Sequence, residues 1–248
     1  MRRVVILLPL LLVLSGCGER FGWYVVSPAT EQGQINLQFM IGGLWLTMAL
    51  TLTAFALSMT LGLAVAIPSL SAKRGWRAVN RVYVEVIRSI PLLVLLFYVY
   101  LGLPTVFGRS VSLDVFWAGV LALAISDSAF QAEIFRSGIQ SIDRGQWEAA
   151  RSSGLTYAQT MRLVILPQAI RRILPPLGNQ FVYVLKMSSL VSVIGAQELT
   201  RRANDLNTNE YRAFEIFTVL VLEYLALVLI VSAGVRWMER RLAQNDHR

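Results

Sequence analysis

Lysine, cysteine and histidine are almost missing from this chain: it has two lysines (Lys73 and Lys186), one cysteine (Cys17) and one histidine (His247). A single cysteine excludes a disulfide framework, and together with one histidine it excludes a metal site built from several such ligands. No G-x-x-x-x-G-K-[ST] loop occurs, so the chain has no P-loop with which to hydrolyse ATP. Charge is sparse as well. Only 15% of residues are charged against a 55% hydrophobic share and a mean hydropathy of +0.56, which marks an all-α integral membrane protein rather than a soluble domain. A net charge of +8 would ordinarily raise nucleic acid as a partner. Here the basic residues sit in short connections beside apolar runs, the pattern that orients membrane proteins, so no nucleic-acid partner is expected.

The first apolar stretch, residues 4–14, follows Arg2-Arg3 and is too short to cross a bilayer comfortably. It reads as the hydrophobic part of a signal segment over residues 1–17, ending in Leu14-Ser15-Gly16-Cys17. Those four residues resemble a bacterial lipobox, in which Cys17 is lipidated after cleavage. The other reading is an uncleaved signal anchor. Both leave residues 18–36 outside the cytoplasm.

Residues 39–68 carry no charge, and about twenty apolar residues suffice to cross the hydrocarbon core at helical rise. This first span exits into Lys73, Arg74, Arg77 and Arg81, a cationic connection that places the exit in the cytoplasm. A second span is expected near 83–103, with Pro91 near its start, where neighbouring helices can satisfy the freed carbonyl. A short external loop, 104–114, leads to a third span over 115–135. A fourth, 173–196, is interrupted by Pro175-Pro176 and Gly178, which predicts a broken or kinked helix lining a cavity. Polar residues 197–213 are external, and a fifth span, 214–235, ends at the cytoplasmic Arg236, Arg240 and Arg241. The chain is one domain with five spans, its amino terminus outside and its carboxyl terminus inside.

Between the third and fourth spans lies a more polar island, 148–167. It reads as two short helices joined at Gly154. Asp143 with Gln146 predicts a capping box for the first helix, Gly154 suits the position that closes it, Thr156 with Gln159 predicts a second box, and Pro167 marks the far end. Tyr157, Met161, Val164 and Ile165 share one face at helical spacing. Ala149, Ala150 and Gly154 add little bulk, so another protein's surface can approach the backbone.

Glu148-Ala149-Ala150, three residues, Gly154, nine residues, then Val164-Ile165-Leu166-Pro167 resembles the EAA loop of ABC-importer permeases. The pattern of that family is matched at every fixed position except one isoleucine, where Val164 stands. The text around the loop resembles the polar amino-acid branch, and the likeness covers roughly residues 37–242. The resemblance implies a type I importer permease core of five helices, with a permease domain over 39–240, an external segment over 18–38, and a coupling helix that docks on an ATP-binding subunit. Glu148, Ala149, Ala150, Gly154, Leu166 and Pro167 would form that coupling element. It further implies a second permease subunit, identical or related, a periplasmic solute-binding protein, contact with membrane lipid, and a polar amino acid as substrate. ATP and Mg would be bound by the partner subunit, and this chain would perform no chemistry in a multi-pass inner-membrane assembly.

Ionisable residues within predicted spans cost roughly 2.5 to 3.5 kcal/mol each on insertion scales and therefore face a pore or a partner. Asp127 and Lys186 are candidates for the translocation path, with Ser188 and Ser189 as small polar neighbours. The competing expectation is an internal salt bridge in which Asp127 serves as the counter-charge of Lys186, since members of the family carry a neutral residue where Asp127 stands. Glu85 with Arg88, and Glu133 with Arg136, each sit three residues apart and are expected to form helical ion pairs, structural or gating. Glu223 stands alone well inside the last span. A rival reading is a proton-coupled secondary transporter or channel that uses Asp127; the EAA loop, a docking element such a protein does not need, argues against it. A membrane-embedded enzyme is less favoured still, because no nucleophile or metal-ligand set accompanies the acids.

Overall fold

The computed structural model describes residues 21–71, 73–108 and 112–244, and every regular element among them is helical. The lipobox expectation at Cys17 and the signal segment lie outside the described residues.

A single 3-10 turn, Trp23–Val26, precedes α1, Glu31–Ile41. Thr30 caps α1 by accepting the Gly33 amide at 3.2 Å. Gly42 and Gly43 stay in the right-handed helical region, so α1 runs almost unbroken into α2, Leu44–Ser69. Together they make a 39-residue helical span that begins well before the expected residue 39. The early start is possible because its polar residues find protein partners: Asn36 donates to the Val25 carbonyl at 2.9 Å and Gln32 to Glu210 at 2.9 Å.

The expected second span is not one straight helix. α3, Arg74–Ser89, stops at Ile90, and the chain turns by 95° before α4, Leu92–Phe97, which passes through one π-helical turn, Tyr98–Gly102, into α5, Leu103–Phe107. Pro91 is the cause. Its ring disfavours helical backbone at the preceding residue, and Ile90 is extended at φ −91°, ψ 121°.

α6, Val115–Gln140, starts at Asp114, whose carboxylate accepts the Trp117 amide at 3.0 Å. It is the central post: 67% of its apolar window is buried, against 11% for the last helix. Small residues let α2 and α6 approach closely. A methyl group built on Gly62 would lie 2.7 Å from the Gln131 side chain and 3.0 Å from the Ser128 carbonyl. α7, Arg144–Ser152, and α8, Tyr157–Thr160, form the loop region, and α9, Leu166–Met187, follows.

Contrary to the expected interruption, α9 runs unbroken through Pro175 and Pro176. Its departures from α geometry lie at its ends, a π-helical turn at Met161–Ile165 and a 3-10 stretch at Ser188–Ile194 that closes on left-handed Gly195. α10, Leu199–Glu210, and α11, Ala213–Gln244, complete the chain.

Three apolar clusters hold these helices. One joins Leu50, Leu96, Leu123, Val184 and Val191 in the middle of the bundle. A second, around Phe135, Ile165, Ile173 and Leu177, underlies the loop region. The third, with Met40, Leu199, Ile216 and Leu220, fixes α10 at the opposite end. Among the described residues four helices are long and apolar enough to cross a membrane, or five if the bent pair α3 with α4–α5 counts as one span.

Candidate functional site: the loop between α6 and α9

Asp143 caps α7, though not through the expected box. Its carboxylate accepts the Gly145 amide at 2.6 Å, while the Gln146 side chain instead accepts from Gln168 at 3.2 Å. The far end of α7 is a Schellman closure: the Leu155 amide reaches the Ala150 carbonyl at 3.2 Å and the Gly154 amide reaches Arg151 at 2.9 Å. Gly154 supplies the left-handed residue at φ +80°. A side chain there would meet nothing within 4 Å in this chain, so the demand for glycine is conformational and the space above it is open.

The second box forms as expected. The Gln159 amide donates to Thr156 Oγ1 at 3.4 Å and the Thr156 amide donates to Gln159 Oε1 at 2.9 Å. Trp147 and Tyr157 stack at 5.8 Å and 26°, joining the two short helices. Pro167 opens α9 rather than ending the loop, and it is the second residue of that helix. Because Pro167 cannot donate to the residue four before it, the preceding turn widens, and the Leu166 amide bonds to the Met161 carbonyl five residues back. Of the predicted coupling residues, Glu148, Ala149 and Gly154 are exposed together and Ala150 is buried beneath them. Leu166 instead packs on the cluster under the loop. The motif therefore divides into an outward surface and a root.

Beside this root lies a cluster of charge. Arg136 grips Glu133 with two bonds, Nε to Oε1 at 3.1 Å and Nη2 to Oε2 at 2.6 Å, and its third nitrogen donates to Gln140 at 2.8 Å. The expected Glu85–Arg88 pair does not form. Arg88 lays its guanidinium over the Phe130 ring at 4.7 Å from the centroid, trading a solvated ion pair for contact with an aromatic face. All four residues nevertheless border one cavity of about 340 Å³ between α3 and α6.

Asp127 is buried and is not the counter-charge of Lys186. Its carboxylate accepts from Ser58 at 2.6 Å, Gln131 at 2.7 Å and Gln180 at 2.5 Å, which ties α2, α6 and α9 together with neutral donors. Lys186 is exposed and takes no part. Ser188 is buried with its hydroxyl on the Leu185 carbonyl at 2.8 Å, and Ser189 bonds the Lys186 carbonyl at 2.8 Å, so both hydroxyls serve the 3-10 turn. Asp127 and Ser188 thus do not line an open path within this chain. Among the described residues Glu223 makes no hydrogen bond, and both its carboxylate oxygens are enclosed.

Sequence reading missed Glu198 at the other end of the bundle. It is fully buried, caps α10 by accepting the Arg201 amide at 2.7 Å, and receives the Tyr224 hydroxyl at 2.8 Å. Burial pushes its carboxyl above the usual range, against the opposing pull of hydrogen bonds from Thr200, Arg201 and Tyr224. The available signal was no more than a Glu directly before a helical stretch, a weaker cap than Ser or Asp.

Residues 58–244 match the family described as "Binding-protein-dependent transport system inner membrane component". The probable glutamine ABC transporter permease GlnM of Bacillus subtilis is 41% identical over 210 residues, 85% of this chain and 96% of that protein. The glutamine transport permease GlnP of Escherichia coli K12 is 36% identical over 90% of this chain and 98% of its own length. A crystal structure of an amino acid ABC transporter with histidines superposes with a TM-score of 0.77 at 44% identity, covering 83% of this chain and 94% of that one. The inward-facing MetNI methionine transporter shares the fold, with a TM-score of 0.69 at 24% identity over 83% of this chain and 97% of that one.

Proposed function

The chain belongs to the inner-membrane components of binding-protein-dependent transport systems, and from that premise we propose how it acts as the permease subunit of an amino-acid ABC importer. It is a multi-pass inner-membrane protein that performs no catalysis itself. ATP is bound by a partner ATPase, and a binding protein completes the complex. Family membership sets aside the proton-coupled reading, and the enclosure of Asp127 by three neutral donors removes its motive.

The substrate is a polar amino acid, with glutamine favoured by the similarity to glutamine permeases of Bacillus subtilis and Escherichia coli. The α7 surface and the Gly154 turn dock on the ATPase from the cytoplasmic side, which puts α10 and the start of α1 on the periplasmic side. Residues 39–240 form the permease domain, with residues 18–38 as the external segment before it, and two permease subunits surround the pathway. The observation that carries this reading is mechanical. An exposed, small-residue helix, α7, is closed by a left-handed glycine under open space and stacked through Trp147 on Tyr157 of α8, which runs without a break through the π turn into α9. Movement of a docked ATPase is thereby passed through the Gly154 turn and the Trp147–Tyr157 stack to a membrane-spanning helix.

The test is co-purification from membranes with the cognate ATP-binding subunit. Wild type should bring the subunit down, and Gly154→Asp should insert normally yet lose it together with uptake. Normal uptake by the variant would refute the assignment of the lever.

A further inference from the structure

The cavity between α3 and α6 is walled by Arg77, Arg81, Arg88 and Arg136, with Glu85 and Glu133 as its acids. Four guanidinium groups thus face two carboxylates. Glu133 is already committed to Arg136 in a two-bond grip, and Arg88 rests on Phe130. Arg77 and Arg81 make no ion pair among the described residues, and both are exposed.

Arginines near the end of a span usually serve as anchors to lipid phosphate. The geometry of α3 argues otherwise. Its outward apolar side is formed by Val79, Val82 and Val86, all more than half exposed, whereas Arg77, Arg81 and Arg88 follow one another at helical spacing on the opposite side. The charges therefore turn away from the lipid-compatible face and into the cavity. Its volume of about 340 Å³ falls within the ordinary range for small-molecule sites. It shares Ser69, Arg77 and Gln140 with a second cavity of about 600 Å³ that reaches Trp147 and Tyr157 beneath the coupling loop.

We propose that this cavity is a carboxylate-binding vestibule on the route by which substrate leaves the permease, and that it favours anionic and neutral amino acids over cationic ones. The inference rests on the import function proposed above. Planar guanidinium groups take a carboxylate through paired N–H bonds, so Arg77 and Arg81 hold the α-carboxylate common to all amino acids. The unneutralised positive charge then repels a second cation on the same molecule, such as a guanidinium or ammonium side chain. Because the site adjoins the root of the loop, its occupancy is sensed where the ATPase acts.

The experiment uses the permease–ATPase complex in lipid nanodiscs without nucleotide, with equilibrium binding of radiolabelled L-glutamate, L-glutamine and L-arginine. Glutamate and glutamine should bind, with arginine at least about tenfold weaker in a site of one dominant charge sign. The double variant R77Q/R81Q should weaken glutamate binding about tenfold and narrow its advantage over arginine. R77K/R81K, which retains the charge, should keep the wild-type order and controls for folding. Equal binding of arginine and glutamate by wild type, an unchanged preference in R77Q/R81Q, or no amino acid bound by any form would overturn the vestibule. So would an anionic phospholipid that co-purifies with wild type and is lost from R77Q/R81Q, which would assign the cavity to a headgroup. ATP-driven uptake with the binding protein present separates the two levels of failure. If uptake persists while the binding results are negative, only the vestibule falls; if wild type imports no amino acid, the import reading falls with it.

Discussion

Replacing Asp127 tests what holds the three central helices together. Three side chains point hydrogens at its carboxylate: Ser58 from α2, Gln131 from α6 itself and Gln180 from α9. Asp127→Ala removes all three acceptor positions. The Ser58 hydroxyl already has the Phe55 carbonyl at 2.9 Å and is not orphaned. Nor is the Gln131 amide, which also donates to Ser58 Oγ at 2.7 Å. The Gln180 amide is left unsatisfied, and a buried donor without a partner costs about 1–3 kcal/mol. For a chain of this size that corresponds to a fall of roughly 2 to 12 °C in melting temperature. Asp127→Asn behaves differently. The Gln131 Oε1 atom is buried without a partner, so rotating that amide by half a turn offers an acceptor to the new Asn donor. The asparagine variant should therefore stay within about 1 kcal/mol of wild type. Adding Lys186→Met to either variant should change nothing. Thermal melts of the purified complex, followed by fluorescence-detected size exclusion, supply the readout. Asparagine as damaging as alanine, or rescue by Lys186→Met, would refute the neutral-donor account and restore a charge pair.

Other outcomes follow from single features. Glu198 keeps its proton to higher pH in the folded state than in the unfolded one, so the unfolded state ionises first. Stability should then be unaffected below the ordinary carboxylate value and fall as pH rises from there through the raised folded value, and Glu198→Gln should flatten that slope in melts across the window. Glu223→Met removes a carboxylate whose two oxygens are buried without partners, and should raise the melting temperature, with a gain of about 1–3 kcal/mol. Thr156→Ala opens the second capping box and should cost about 1 kcal/mol, detectable as faster proteolysis between α7 and α8.

Features encoded by neighbours in sequence were legible; those that join distant segments were not. The Thr156–Gln159 box closes over three residues and was visible as a pattern, as was the role of Gly154. The Asp143–Gln146 box had the same signature but fails, because Gln168, 22 residues on, engages the Gln146 side chain first. Apolar length exposed the spans of α2 and α6, since a bilayer demands about twenty apolar residues wherever it is crossed. It could not reveal that Pro91 turns the chain by 95°, nor that Pro175 and Pro176 leave α9 continuous. The Asp127 expectation failed for a related reason. A sequence displays charges plainly, so a lone acid and a lone lysine invite pairing, whereas neutral donors such as Ser58 and Gln180 stand 69 and 53 residues away and carry no signature.

The widened turn at Met161–Ile165 takes up one extra residue between loop and membrane without re-aiming the loop. A π-helical turn holds one more residue than the α-helical turns around it, so each of its residues advances the azimuth by less than the roughly 100° of an α-helical residue. Deleting one residue there would tighten the turn to ordinary geometry and leave the Gly154 turn facing nearly the same way. Deleting one residue from the regular body of α9 would instead swing the loop by about a quarter of a revolution about the α9 axis. Single-residue deletions should thus be better tolerated at this turn than anywhere else along the helical run that carries the loop.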